Sequence, residues 1–262
     1  MKNLCVGSAL AMVVMSSLAF SSHAMAWDND CEFSRDVERE ISVNDSLQLT
    51  VVAGAGTLAI VGDTDRQTVL IEAKLCAARE SQLADMDISS ELKGGVTYIE
   101  TEFAKGRFWG SDNDGASIDL TLYVPINAKL DVTDSSGKAR VEGVASLVMV
   151  DSSGSLGIED VAGDVTVKDS SGSLRIERIK GNVSVTDSSG SIKVEDVGGD
   201  FTVEVDRSGS IDAEKIKGNV LVRRDSSGSI NVYKVGGDFT VGRDSSGGIV
   251  HNQVAGNVSL PD

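Results

Sequence analysis

Aromatic residues, proline, histidine and basic charge are all scarce in this chain. Of 262 residues only 4% are Phe, Trp or Tyr, two are Pro and two are His. With His23 and His251 alone, a multi-histidine metal centre or a Ser–His catalytic pair has little to be built from. Cys5, Cys31 and Cys76 lie far apart and form no Cys/His cluster of the kind that holds zinc. Lys and Arg number 24 against 40 Asp and Glu, a net charge of −16. A chain this acidic repels nucleic acid and anionic lipid surfaces; it suits cations, a basic partner, or simply solubility. One apolar run stands out, near the N-terminus, and no other segment is apolar enough to span a membrane.

That run, Leu4 to Phe20, follows Lys2 and leads through Ser21, Ser22 and His23 to the small-x-small triplet Ala24-Met25-Ala26. A positive start, a short apolar core and an A-x-A site predict a secretory signal peptide over residues 1–26. The alternative, an uncleaved anchor, needs about 20 apolar residues. Cys5 lies at the very start of the apolar run, whereas a lipoprotein cysteine follows it, so Cys5 is not one. Cleavage leaves residues 27–262, 236 in number, and removes one base, Lys2, which takes the net charge to −17. The expected location is across the inner membrane, in the periplasm or at the cell surface, with no stable membrane insertion afterwards. In an oxidising compartment an isolated cysteine pair bonds more often than it stays free, so Cys31 and Cys76 are a disulfide candidate.

What the chain does have is internal repetition. Asp-Ser-Ser-Gly begins at Asp134, Asp151, Asp169, Asp187, Asp225 and Asp244, and Asp206-Arg207-Ser208-Gly209 fills the gap. The spacings are 17, 18, 18, 19, 19 and 19 residues. A second mark, Gly followed by Asp or Asn, falls at Gly163, Gly181, Gly199, Gly218, Gly237 and Gly256, each 12 residues after its Asp. Between the marks the apolar residues alternate, as in Leu156, Ile158 and Val161, then Val165 and Val167. Period-2 patterning in mostly β-branched runs between glycine turns means half-buried strands, and runs this short cannot be helices. Units of near-constant length with like residues at like positions stack as coils, each pairing in parallel with the next. The expected fold is all-β: a right-handed parallel β-solenoid (β-helix) of about seven 17–19-residue coils, since parallel crossovers are right-handed. The step from 18 to 19 residues adds one residue before the next Asp, as at Glu204-Val205, and predicts a bulge.

Residues 27–125 are strand-rich but not periodic, with strands expected at 47–52, 57–61, 67–75, 86–91, 96–103 and 117–124. A helical turn or two is expected within 77–84. A solenoid needs its first coil covered, because an open edge invites strand addition; 27–125 is the expected cap and 126–262 the repeats. The strand–Gly–strand opening from Leu47 to Val61, the variable strand-rich middle, and Val124-Pro125 with Leu130-Asp131-Val132 leading into Ser-Gly turns resemble a bacterial family of exported candidate adhesins of unknown function. The resemblance covers nearly all of residues 27–262. It implies a right-handed β-solenoid in the envelope or at the surface, and it supplies no catalytic residue to carry over.

Several motifs invite a chemical reading. Gly54-Ala55-Gly56-Thr57-Leu58-Ala59 matches the dinucleotide fingerprint, but that motif must open a helix, and Thr57 to Val61 reads as strand. Ser135-Ser136-Gly137-Lys138 matches the S-x-x-K of serine acyl-transferases, but it is one copy of a turn repeated without the Lys. Asp112-Asn113-Asp114-Gly115 hints at a calcium loop, yet Asp, Asn and Gly are ordinary turn residues. His251 falls in the column of Val232 and Ala213 and reads as a cap of the last coil.

The aspartate column is the strongest site candidate. Stacked coils place Asp134, Asp151, Asp169, Asp187, Asp206, Asp225 and Asp244 in a ladder. Turn chemistry alone accounts for it: Asp caps its own turn and Gly supplies positive φ. The functional alternative is weak multivalent binding of calcium or magnesium by Asp151, Asp169, Asp187, Asp206, Asp225 and Asp244. At water's dielectric, like charges about 5 Å apart repel by only about 0.8 kcal/mol, so no ligand is demanded. A second acidic ladder, Glu142, Glu159, Glu177, Glu195 and Glu214, faces outward beside Arg175, Arg178, Lys193 and Lys215. Thr166, Ser184, Thr202, Leu221, Thr240 and Ser259 form a third column, a solvent face or a surface for a glycan or partner.

These observations point to a non-enzymatic envelope protein, an adhesin-like scaffold or binding module without a cofactor. Its partners would be a protein or glycan of the envelope and, through the thinly covered last coil, a second copy end to end. The alternatives are a carbohydrate-active β-helix enzyme, which would need irregular loops to make a cleft, and a divalent-cation-dependent assembly protein.

Overall fold

In the computed structural model, residues 31–43, 47–103 and 115–261 are described, and they belong to one unit. The alternating pattern becomes strand nearly everywhere. Ahead of the repeats lie β1 (Phe33–Ser42), β2 (Gln48–Ala55), β3 (Leu58–Asp63), β4 (Thr68–Ala77), a single short helix α1 (Glu80–Ala84), β5 (Asp87–Lys93), β6 (Val96–Glu102) and β7 (Ser117–Pro125). β8 (Lys129–Glu142) runs unbroken through the first Asp-Ser-Ser-Gly. The coils that follow are β9 (Ser146–Asp151) with β10 (Gly154–Glu159), β11 (Val165–Asp169) with β12 (Gly172–Ile179), and β13 (Val183–Thr186) with β14 (Gly190–Val197). Then come β15 (Phe201–Val205) with β16 (Gly209–Ile216), β17 (Val220–Val222) with β18 (Ile230–Val235), β19 (Phe239–Val241) with β20 (Ile249–Val254), and β21 (Val258–Ser259).

Each coil contributes one strand to each of two parallel ladders. The first half of β8 pairs with β9, which begins the ladder β9, β11, β13, β15, β17, β19, β21. Its second half pairs with β10, which begins the ladder β10, β12, β14, β16, β18, β20. The expected β-solenoid of about seven turns is therefore what forms. The register is one-to-one except between Val185 and Thr186, where β15 carries an extra residue. That is where the repeat lengthens, and a bulge absorbs the residue without moving the core column. The core lies between the ladders: Leu156, Ile158, Val161, Val165 and Val167 and their equivalents as far as Val241 are almost wholly buried. A lone coil would expose this face; stacking removes it from water at roughly 25 cal/mol per Å².

The N-terminal region does more than cover the first coil. β2 stacks in parallel on the first half of β8, and β3 on the second half. β6 and β7 stack in parallel on the far side of β2 and β3. Two further coils thus precede β8 in space, in an order that differs from the order in the chain. The stack is closed by antiparallel strands: β4 on β7, β1 on β4, and β5 on β6. β1 contains Arg35, Asp36, Glu38, Arg39 and Glu40, and such a charged edge strand discourages further pairing. β1 was not expected from the sequence, because its apolar residues, Phe33, Val37 and Ile41, are four apart among charges rather than alternating, and all three are only half-buried. Cys31 and Cys76 are disulfide-bonded across β1 and β4, with Cα atoms 5.4 Å apart. No helix among the described residues is long and apolar enough to cross a membrane.

Candidate functional site

The corner between the two ladders is built by Asp-Ser-Ser-Gly. From Asp169 onward one carboxylate oxygen of each Asp accepts the amide of the residue two further on: Ser171 to Asp169 at 3.2 Å, Ser189 to Asp187 at 3.2 Å, Ser208 to Asp206 at 3.1 Å, Ser227 to Asp225 at 3.2 Å and Ser246 to Asp244 at 3.1 Å. The second Ser donates its hydroxyl to a carbonyl of the preceding coil, as Ser208 does to Ser188 at 3.4 Å and Ser227 to Arg207 at 3.2 Å. Gly closes the corner with positive φ, and a Cβ on Gly154, Gly172, Gly190, Gly209, Gly228 or Gly247 would fall within 1.4–1.7 Å of the carbonyl oxygen of the preceding coil's glycine. Ala53-Gly54-Ala55-Gly56 is the same corner one coil earlier, with Ala53 opposite Asp134 and Ala55 opposite Ser136. The dinucleotide-like string is this corner, and Ser135-Ser136-Gly137-Lys138 lies inside β8 rather than on a helix.

The position of the aspartates departs from the expectation of a solvated turn. Asp134, Asp151, Asp169, Asp187, Asp206 and Asp225 are 0–5% exposed. Water's dielectric therefore does not apply to the column, and a repulsion of about 0.8 kcal/mol is too low. The sequence carried the signal in its phase. Asp134, Asp151, Asp169 and Asp187 each sit two residues after an inward-facing Val132, Met149, Val167 or Val185, so the period-2 rule aims them inward too. Asp134, Asp151, Asp187, Asp206 and Asp225 each keep at least one buried carboxylate oxygen without a hydrogen-bond partner. Burial, reinforced by the carboxylate of Asp151, pushes Asp134 up to about 7. Burial and then the neighbouring aspartates push Asp169 and Asp206 up to about 6. Burial also raises Asp151, Asp187 and Asp225. The six candidate metal ligands thus share one column, but no three His, Cys, Asp or Glu among the described residues converge on a point where a metal could sit.

The opposite corner carries another column, Asp164, Asn182, Asp200, Asn219, Asp238 and Asn257. Each side-chain oxygen accepts the backbone amide of the next coil's member, from Asn182 to Asp164 at 2.8 Å through Asn257 to Asp238 at 2.7 Å.

On the outer face of the second ladder, the Glu column is stacked in register as expected. It is neutralised by an ion-pair lattice. Arg178 bridges Glu159 at 2.6 Å, Asp160 at 2.8 Å and Glu177 at 3.2 Å; Arg140 reaches Glu142 and Glu159; Arg175 meets Glu177; Lys215 reaches Glu195 at 2.7 Å. The hydrogen bond from Arg178 holds the Asp160 carboxyl below its usual range, and Lys215 does the same for Glu195. Past Glu214 the lattice stops, and the column continues as Tyr233 and Asn252. A shallow groove there is lined by Lys193, Asp212, Glu214, Asn231, Tyr233 and Asn252. Asn231 donates to Asp212 at 2.8 Å, and the Lys234 ammonium lies 4.8 Å from the Tyr233 ring centre. Read from the sequence, the column ends at Glu214 and this patch is missed, although Tyr233 breaking a run of five Glu was visible.

On the first ladder, Thr166, Ser184, Thr202, Leu221, Thr240 and Ser259 are stacked in register. His251 stands opposite Val232 and packs on Phe239, ring centres 6.0 Å apart. Residues 1–26 and Asp112-Asn113-Asp114 lie outside the described residues.

No family model matches the chain, and neither does any curated protein. Among solved structures it is similar to a candidate lipid-binding protein from Parabacteroides distasonis ATCC 8503, at 16% identity and TM-score 0.46 over 87% of this chain and 97% of that one. It is similar to a candidate adhesin from Bacteroides fragilis NCTC 9343, at 10% identity and TM-score 0.39 over 87% and 97%. It is also similar to a candidate cell adhesion protein from Clostridium sporogenes ATCC 15579, at 10% identity and TM-score 0.34 over 87% and 100%. Likenesses this distant extend to neither substrate nor partner.

Proposed function

We propose that this chain is an exported, non-enzymatic binding module of the bacterial envelope, and that it engages glycans on the outer face of the second ladder. The observation that carries the proposal is the local break in the ion-pair lattice. Over the coils of β16, β18 and β20, a repeating charged surface gives way to a groove of amides, carboxylates, one tyrosine ring and the exposed Val250, with Lys193 at its border. Amide and carboxylate groups match the paired donors and acceptors of vicinal sugar hydroxyls, and an aromatic ring packs against the apolar face of a sugar. The leader-like sequence at 1–26 supports a role outside the inner membrane.

The test is binding of the purified chain to an array of envelope glycans, with Tyr233→Ala and Asn231→Ala beside it. The expected result is saturable binding that both variants weaken at least about tenfold, the cost of one lost buried contact. Binding that survives both substitutions would overturn the assignment of the face. Release of reducing ends from any bound polysaccharide would overturn the non-enzymatic reading in favour of a carbohydrate-active enzyme.

A further inference from the structure

The chain stacks acidic side chains at both corners and handles them differently. At the outer corner Asp and Asn alternate, so no carboxylate rests on another. The amide of Asn182 donates to Asp164 at 3.1 Å, that of Asn219 to Asp200 at 3.1 Å and that of Asn257 to Asp238 at 3.5 Å. At the inner corner every position from Asp134 to Asp244 is Asp, and the column is buried from Asp134 to Asp225. Its members are in direct register, Asp134 with Asp151, Asp151 with Asp169, Asp206 with Asp225 and Asp225 with Asp244, one strand spacing of about 4.8 Å apart. In Asp187, Asp206 and Asp225 one oxygen is engaged by the residue's own turn and the other is orphaned, while Asp134 keeps both oxygens, and Asp151 one, without a partner.

No cation compensates this column among the described residues. The nearest basic residues along the chain, Lys168, Arg207, Arg224 and Arg243, are exposed. Arg207 donates instead to the Ser188 hydroxyl, and neighbouring Arg223 pairs with Glu204 at 2.9 Å. From the strands on either side, only the other aspartates and the turn amides act on the column. Buried, unpaired, stacked carboxylates cannot all stay ionised: desolvation and mutual repulsion each favour the neutral acid.

We propose that the inner aspartate column is a proton-sharing ladder, in which carboxylic acids and carboxylates alternate so that the O–H of one coil donates to the orphan oxygen of the next. The protons come from solvent, and folding takes them up. The ladder thereby does with protons what Asn does at the outer corner. The raised values of Asp134, Asp169 and Asp206 agree with it. A carboxyl whose folded value lies above its unfolded value of about 4 binds more protons in the folded state. Its stabilising effect is complete below about pH 4 and is lost as the pH rises through about 6 to 7, so the rod is held together more strongly in acid than at neutral pH. This makes the repeats a pH-sensitive device, independent of what the outer face binds.

The test is urea unfolding of the chain from pH 4.5 to 8, beside a variant carrying Asp151→Asn, Asp187→Asn and Asp225→Asn, with carboxyl-carbon NMR titration of the unsubstituted chain. The variant copies the outer corner's alternation: each Asn keeps an oxygen for its turn and places an N–H where the shared proton would lie. It also retains His251 and all surface carboxylates, which therefore cancel in the comparison. The unsubstituted chain is expected to unfold at least about tenfold more readily at pH 8 than at pH 5, one factor of ten per unit of raised pKa. The variant is expected to be nearly flat with pH and the more stable of the two at pH 8. Should the triple variant not fold, Asp206→Asn replaces it, and inner-column carboxyl carbons titrating above pH 5.5 support the ladder on their own. Stability of the unsubstituted chain that is flat with pH, or carboxyl carbons that all titrate near pH 4, would overturn the ladder. Restoration of the pH 8 stability by calcium or sodium rather than by acid would also overturn it, and would fill the column with cations instead.

Discussion

Gly209→Ala tests the corner geometry most severely. Gly209 has φ of +137°, and a Cβ there would stand 1.4 Å from the carbonyl oxygen of Gly190. The backbone strain alone costs on the order of 1–3 kcal/mol. Reaching a tolerable carbon–oxygen contact requires the two coils to part by about 2 Å at this corner. Hydrogen bonds from Gly190 to Ser208 at 2.9 Å and from Gly209 to Ser227 at 3.0 Å bridge adjacent coils there. A gap of that size breaks at least one of them, at about 1 kcal/mol each, and opens the core beneath. The expected loss is therefore at least about 4 kcal/mol, a large part of the 5–15 kcal/mol that holds a typical domain folded. Gly157→Ala is the control. Gly157 lies in the same stack, has no positive φ, and a Cβ there meets nothing within 4 Å. That change should stabilise by up to about 1 kcal/mol by stiffening the unfolded chain. Urea unfolding of the two variants side by side decides the matter. Equal stabilities, or a loss below about 1 kcal/mol for Gly209→Ala, would refute the claim that glycine is required by the stacked carbonyl.

Two further outcomes are expected. Opening the Cys31–Cys76 bond by Cys31→Ser with Cys76→Ser should cost about 4 kcal/mol, the loop-closure entropy for a separation of 45 residues; unfolding curves that coincide with and without reductant would contradict this. The last coil leaves Val250 61%, Val258 39% and Leu260 41% exposed beside the unpaired edges of β20 and β21. The chain should therefore self-associate end to end as its concentration rises, and Val250→Lys should suppress it; sedimentation that stays monomeric at millimolar concentration would sink the idea.

The stacked coils were legible because three independent signals share one phase: the Asp-Ser-Ser-Gly corner, the Gly-Asp/Asn corner and the alternation between them. Residues 27–125 were legible only strand by strand. The expected strands at 47–52, 57–61, 67–75, 86–91, 96–103 and 117–124 correspond to β2 through β7. Their stacking did not show, because Ala53-Gly54-Ala55-Gly56 does the work of Asp-Ser-Ser-Gly without its letters. A six-fold column of left-handed residues was invisible for a similar reason. Asp160, Arg178, Asp196, Lys215, Lys234 and Gln253 have φ of 56–58°, yet none is Gly or Asn. Each tolerates a local cost of about 1–2 kcal/mol because the coils above and below impose the bend. Composition does not record a conformation enforced by neighbours. The aspartates were misplaced for the opposite reason: their chemistry reads as turn and solvent, whereas their phase reads as core, and phase decided.

The same division separates fold from function. Every residue that fixes coil length or stacking points inward or into a corner: the aliphatic columns, the glycines, the inner aspartates and the Asp/Asn pairs. The outer columns carry none of these duties. Replacing Glu with Tyr233 and then Asn252 leaves the parallel register of β16, β18 and β20 intact. The ion pairs given up there are surface pairs, worth about 0–1 kcal/mol each. The outer face can therefore change its chemistry from coil to coil at almost no cost to the rod, while one misplaced Cβ at Gly209 threatens the whole stack. A recognition surface belongs on the columns that the fold leaves free, and the groove around Tyr233 is where this chain departs from its own repeat.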